Sequence, residues 1–230
     1  NNYQWNLLTH LSFFSYEVNS ANGNAISTHG WSSAQAVTDA LNNGLKVTLT
    51  VTLFSDHATF LNNSTSKQTL INNLISLVQS RGAHGVCIDF EGIPSSQKNN
   101  FTNFMISLSN QMHAAIPNSE VSTVLYAVDW NNVFDISAMS SYVDLFIIMG
   151  YDYYWSGSSN AGPTELMMAP AEALIIYLTT AAGDNVLLPK KTICVSVWIL
   201  FVSEELPVWV FGHWDTIMVI TIFGMPLPII

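Results

Sequence analysis

The run His84-Gly85-Val86-Cys87-Ile88-Asp89-Phe90-Glu91-Gly92 sets polar and apolar side chains in alternation. Successive side chains of a β-strand point to opposite faces, so Cys87, Asp89 and Glu91 share one side. Val86, Ile88 and Phe90 share the other, the apolar face a strand needs when helices cover it. Two charged, unpaired carboxylates at the end of a buried strand would each cost roughly several kcal/mol. Crowding them pushes their proton affinities apart, so one carboxyl can stay protonated near neutral pH. A protonated carboxyl beside a charged one is what a general acid requires. The plainer alternative is that Asp89 and Glu91 end the strand and cap the following loop. The C-terminal end of a barrel strand favours the chemical reading, because barrel active sites are built on that face.

Outward from this strand the chain alternates short apolar runs with helical stretches, the mark of repeated βα units around a parallel sheet. Leu8–Tyr16, Leu45–Phe54, Gly85–Glu91, Glu120–Val128, Val143–Asp152, Thr192–Ile199 and Val208–Phe211 read as strands. Helices are predicted over Ser32–Asn43, Ser66–Gln79 and Ser95–Ala115, the second carrying an apolar stripe at Leu70, Ile71, Leu74, Ile75 and Val78. Glu165–Ala182 can be helical, disturbed by Pro170 near its start. The short Trp130–Ser141 connection joins two of the strands. The fold class is therefore α/β, a (β/α)8 TIM barrel over residues 1–230 that is one strand short. The missing strand is expected just before Asn1, with Thr216–Phe223 a weaker candidate. The C-terminal third differs in composition, since after Asn160 the only asparagine is Asn185.

The chain has 230 residues, 49% of them hydrophobic and 10% charged, enough apolar material for one large buried core and too apolar for disorder. A formal net charge of -10 opposes nucleic acid and anionic membranes as partners, and leaves a neutral polymer unopposed. No uninterrupted apolar span of ~20 residues exists, because Glu204, Glu205, His213 and Asp215 break the apolar tail, so membrane insertion is not expected. Cys87 and Cys194 sit in apolar runs and read as small buried hydrophobes rather than a disulfide or zinc set. The six histidines are scattered, so no metal is expected. Neither a nucleotide fingerprint nor any other cofactor motif occurs.

Three motifs then resemble glycoside hydrolase family 18. Gly85-Val86-Cys87-Ile88-Asp89-Phe90-Glu91 is similar to that family's fourth-strand signature D-G-x-D-x-D-x-E, which ends in the catalytic acid. Met149-Gly150-Tyr151-Asp152 resembles the sixth-strand motif M-x-Y-D. Val208 to Asp215 resembles the eighth-strand segment carrying a floor tryptophan, here Trp209. The resemblance runs from Leu7 to Pro163 and more thinly beyond. His84 and Cys87 stand where the family usually has aspartates, and Thr50-Val51-Thr52-Leu53 replaces S-x-G-G on the third strand; a shifted pH profile is expected.

What the resemblance implies is a retaining hydrolase of β-1,4-linked N-acetylglucosamine polymers, chitin or chito-oligosaccharides, in which the substrate's own acetamido oxygen attacks the anomeric carbon. Glu91 would be acid and then base, Asp89 would accept the acetamido N–H, and Tyr151 would donate to the acetamido oxygen. Met149 and Asp152 would line the sugar site above Trp209. Tyr153 and Trp155, in the polar loop after the sixth strand, are candidate sugar platforms with ordinary loop packing as the alternative. Phe13, Phe14, Tyr126 and Trp130 are expected to be core aromatics. Peptidoglycan or the chitobiose core of N-glycans is the alternative substrate, and a non-catalytic lectin the third reading. Secretion is likewise an expectation from the resemblance.

Overall fold

The computed structural model describes residue 3 and residues 5–126, 129–149, 159–160, 178–179, 185–186 and 218–220. In chain order these form β1 (His10–Val18), β2 (Ala25–Ser27), α1 (Gln35–Asn42), β3 (Lys46–Leu53), α2 (His57–Leu61), α3 (Ser64–Arg81), β4 (Gly85–Phe90), α4 (Lys98–Ala115), β5 (Glu120–Tyr126), α5 (Ile136–Met139), β6 (Leu145–Met149), β7 (Leu178–Thr179), β8 (Asn185–Val186) and β9 (Met218–Ile220).

Strands β1, β3, β4, β5 and β6 are parallel and adjacent in that order, with at least one helix in every crossover. A doubly wound sheet reverses its strand order part way, whereas stepping always to the next neighbour is how a (β/α)8 barrel is built. The sheet is an arc of that barrel. On the edge of β1 away from β3, where a preceding barrel strand would lie, β2 and β9 pair instead, both antiparallel. An open edge presents unpaired N–H and C=O groups, and short antiparallel partners satisfy part of the row. The weaker strand candidate Thr216–Phe223 thus contains β9. Leu178–Thr179 is strand, not the helix predicted over Glu165–Ala182; the rest of that segment lies outside the described residues, as do Thr192–Ile199 and Val208–Phe211.

Helix α3 begins where Asn63 accepts the Ser66 N–H at 3.1 Å and ends at Gly82 in the left-handed region, φ 61°. It buries Leu70, Ile71, Leu74 and Val78, the stripe read from sequence except for half-buried Ile75. Behind β4 stands an aromatic wall. Phe90 stacks on Phe104 of α4 with centroids 5.8 Å apart and meets Phe60 of α2 edge-on at 5.8 Å. This anchors the outer face of β4, so its alternate residues must point inward. Among the described residues no helix is long and apolar enough to cross a membrane.

The inner face is divided. Hydroxyls line it on β1 and β3: Ser12 bonds Thr50 at 2.8 Å and Thr48 at 3.0 Å, and Ser15 meets Thr52 at 3.4 Å. On the far side Cys87, Val124, Leu145, Ile147 and Met149 form a small apolar cluster, separate from the large core under the helices. Polar groups buried in this way stay in place by bonding one another.

Candidate active site

Asp89 is the penultimate residue of β4, with Thr52 of β3 as its lateral neighbour. It is 8% exposed, and its Oδ1 is fully buried with no hydrogen-bond partner among the described residues. Burial, then the charge of nearby Glu91, pushes its carboxyl up to about 7. The two acids therefore do share one end of the strand. Sequence reasoning required that one of them hold a proton near neutrality, and the deeper one, Asp89, has its affinity raised.

Glu91 is only partly buried and stands just past the strand, where its N–H donates to the Leu53 carbonyl at 3.1 Å. The next residue, Gly92, donates its N–H to the hydroxyl of Tyr126, the last residue of β5. Tyr126 feels Glu91, Asp89 and Asp129; burial chiefly, and these charges with it, raise its hydroxyl above the ordinary phenol value. Beneath the loop lies buried His57, Nε2 3.0 Å from the Leu53 carbonyl. Burial lowers its proton affinity against the pull of the Leu53 and Glu91 carbonyls and Asp56.

The segment after β5 leans on this loop. Asn131 Nδ2 donates to the Ile93 carbonyl at 3.2 Å, and Asp129 Oδ2 accepts from Phe134 N–H at 2.9 Å, leaving its Oδ1 buried without a partner among the described residues. Trp130 is 79% exposed, which corrects its expected place in the core. Phe13 is buried, whereas Phe14 and Tyr126 are half-buried. A strand-end aromatic can face either core or rim, and only the tertiary arrangement decides. For Tyr126 a signal was available: with Ser122 and Val124 it is on the inward period of β5.

Met149 ends β6 on the inner face, opposite Tyr126 in the register. Tyr151, Asp152, Tyr153, Trp155 and Trp209 lie outside the described residues, as does Cys194. Cys87 is wholly buried beside the Ser122 and Ser12 hydroxyls, and burial pushes its thiol up to about 12. At the opposite end of the strand, His84 Nδ1 accepts the Val47 N–H at 3.0 Å, so this replacement for an aspartate still supplies an acceptor.

A family model for Glycosyl hydrolases family 18 matches residues 1–184. YdhD of Bacillus subtilis, described as a sporulation-specific glycosylase, is 31% identical over 105 residues, 43% of this chain and 24% of that protein. A class V chitinase of Arabidopsis thaliana is 30% identical over 128 residues, 51% of this chain and 33% of that protein. The crystal structure of YdhD superposes with a TM-score of 0.58 at 25% identity, over 67% of this chain and 53% of that one. The spore cortex-lytic enzyme SleL of Bacillus cereus superposes with a TM-score of 0.59 at 19% identity, over 70% and 38% respectively. The stretches matched in YdhD and the class V chitinase are about a quarter and a third of those proteins' own length.

Proposed function

The chain belongs to glycosyl hydrolase family 18, and from that premise we propose that it is a retaining glycosidase of β-1,4-linked N-acetylglucosamine polymers working by substrate-assisted catalysis. The observation that carries this is Asp89: a buried carboxyl with its affinity raised to about 7, one oxygen without a hydrogen-bond partner among the described residues, beside a more exposed glutamate. An acetamido N–H arriving at that oxygen replaces the missing hydrogen bond and favours the charged form of Asp89. The proton shared by the pair then passes to Glu91, which gives it to the leaving glycosidic oxygen. The acetamido carbonyl oxygen attacks the anomeric carbon as that bond breaks, and negative Asp89 stabilises the positive oxazolinium ion. Water then opens the ring, its proton returning to Glu91.

In this reading Tyr151 donates to the acetamido oxygen, Asp152 holds sugar hydroxyls, Trp209 is the apolar floor, and Met149, Tyr153 and Trp155 border the sugar. The test is Glu91→Gln, expected to lower chito-oligosaccharide hydrolysis by about 10²–10⁴-fold or more while leaving the melting temperature near that of the parent. Near-full turnover by the variant would overturn the assignment. Chitin is favoured by the likeness to a class V chitinase. The likeness to a sporulation-specific glycosylase supports a second reading, bacterial cell wall, which carries the same acetamido sugar. Product analysis on chitin oligomers and on purified peptidoglycan separates the two. Sugar binding without turnover on either would favour the lectin reading. Both polymers lie outside cells, so secretion is part of the proposal, tested by fractionating cells and medium.

A further inference from the structure

Glu91 stands beyond the last backbone pair between β4 and β5, whose register ends at Ile88 and Thr123. Toward β3 the ladder continues to Phe90, and the Glu91 N–H still reaches the Leu53 carbonyl at 3.1 Å. On the β5 side the strands have begun to part, and the next link is a side chain: the Tyr126 hydroxyl accepts the N–H of Gly92. The ring behind that hydroxyl packs against both the inner apolar cluster and the main core, and meets Phe134 at 5.8 Å. Its hydroxyl is therefore held at a fixed point. The Asn131 contact to the Ile93 carbonyl adds a second tie from the same side.

We infer that Tyr126 is a positioning residue for Glu91: its hydroxyl replaces the backbone ladder where β4 and β5 diverge and so fixes the residue that must deliver a proton. The inference rests on the reading of Glu91 as general acid. A carboxyl displaced by about 1 Å can lose on the order of 10²-fold in proton transfer without losing substrate. Tyr126→Phe keeps the packed ring and removes only the acceptor.

The readout is the leaving group. In a chito-oligosaccharide the departing sugar oxygen needs protonation, whereas from a chitobioside of 2,4-dinitrophenol the dinitrophenolate leaves almost unaided. For Tyr126→Phe in the full chain, kcat on the oligosaccharide is expected to fall about 10- to 100-fold, with KM within about twofold, while kcat/KM for the dinitrophenyl substrate, which covers only the steps up to bond cleavage, changes less than about threefold. A purely structural role would lower both substrates alike, and that result, or no loss on either, overturns the inference. Replacing Tyr126 by 3,5-difluorotyrosine, which keeps the ring and the oxygen in place but weakens the oxygen as an acceptor, should give a smaller loss of the same selective kind, so a poorly folding phenylalanine variant leaves the test standing. Glu91→Gln is run beside them. If it is inactive on the oligosaccharide while Tyr126→Phe behaves like the parent, the positioning role fails and the acid assignment survives. If Glu91→Gln is itself active, both fall.

Discussion

A buried carboxylate is expensive to keep charged, and the Asp89 Oδ1 has no hydrogen-bond partner among the described residues; burial first, then the charge of Glu91, pushes its carboxyl up to about 7. The proposed reaction needs the pair of acids to hold one proton between them. kcat/KM on chito-oligosaccharides should therefore decline as the pH rises through about 7, and Asp89→Asn should be nearly as inactive as Glu91→Gln. A profile flat from pH 6 to 9 would remove the shared proton from the mechanism. The alternation of the strand made the side of Asp89 and Glu91 legible; it could not tell which acid lies deeper, because that depends on how far the neighbouring strands run beside each, and β3 still flanks Asp89 with Thr52. Cys87 gives a second residue-scale test. With its thiol pushed up to about 12 by burial first, it should resist iodoacetamide at pH 8 in the folded protein and react only in denaturant. Cys87→Ser, placed among hydroxyls, should keep activity within several-fold. Rapid labelling of the native protein would contradict the closed interior.

At the scale of elements, the strand carrying the acids depends on how closely its first residue approaches the next strand. A Cβ on Gly85 would lie 1.8 Å from the Glu120 carbonyl oxygen and under 3 Å from two further backbone atoms of that residue. Backbone cannot swing aside as a side chain does, so Gly85→Ala should destabilise by about 3 kcal/mol or more, read as a lowered urea midpoint. An unchanged midpoint would mean that β4 and β5 are not so close. The strands were legible because β3, β4 and β5 alternate over several residues and β6 is an unbroken apolar run, and α3 and α4 because they run 18 residues each with one apolar face. α2, five residues long, and β2, three residues long, offer too few positions for a period to show. Trp130 was misread because proximity to a strand end says nothing of whether a ring turns to core or rim. The pairing of β2 and β9 with β1 is a long-range choice of an open edge, and no local pattern encodes it.

Across the whole molecule, buried ionisable groups pull stability in opposite directions with pH. At the amino end of the strands Glu120 is buried; burial opposes its charge, but hydrogen bonds and charge from His10 and Lys46, at 3.4 and 2.9 Å, overcome it and hold its affinity below the ordinary 4.5. That contribution is present above about pH 4.5 and is lost as the pH falls through the depressed value. His84 and His57 are kept neutral chiefly by burial, below their ordinary 6.5, so each also loses stability as the pH drops below about 6.5. Asp89 at the catalytic end runs the other way. Its affinity rises from 3.8 to about 7, so the folded state binds the extra proton between those values, and its contribution is full below about pH 4 and lost as the pH climbs to about 7. At 1.36 kcal/mol per unit the loss is on the order of 4 kcal/mol, a large share of an ordinary folding free energy. Asp89→Asn cannot ionise. Its stability relative to the parent in urea unfolding should rise steadily between about pH 4 and about pH 7 and then level off, a gain on the order of 4 kcal/mol. The variant's own stability should rise from about pH 4 to about pH 7, because the other groups whose affinity burial raises, Cys87 and Tyr126 among them, respond only at alkaline pH. A difference between the two proteins that does not change with pH would show that Asp89 ionises as freely in the folded chain as in the unfolded one, and with that the proton reserve of the site would be gone.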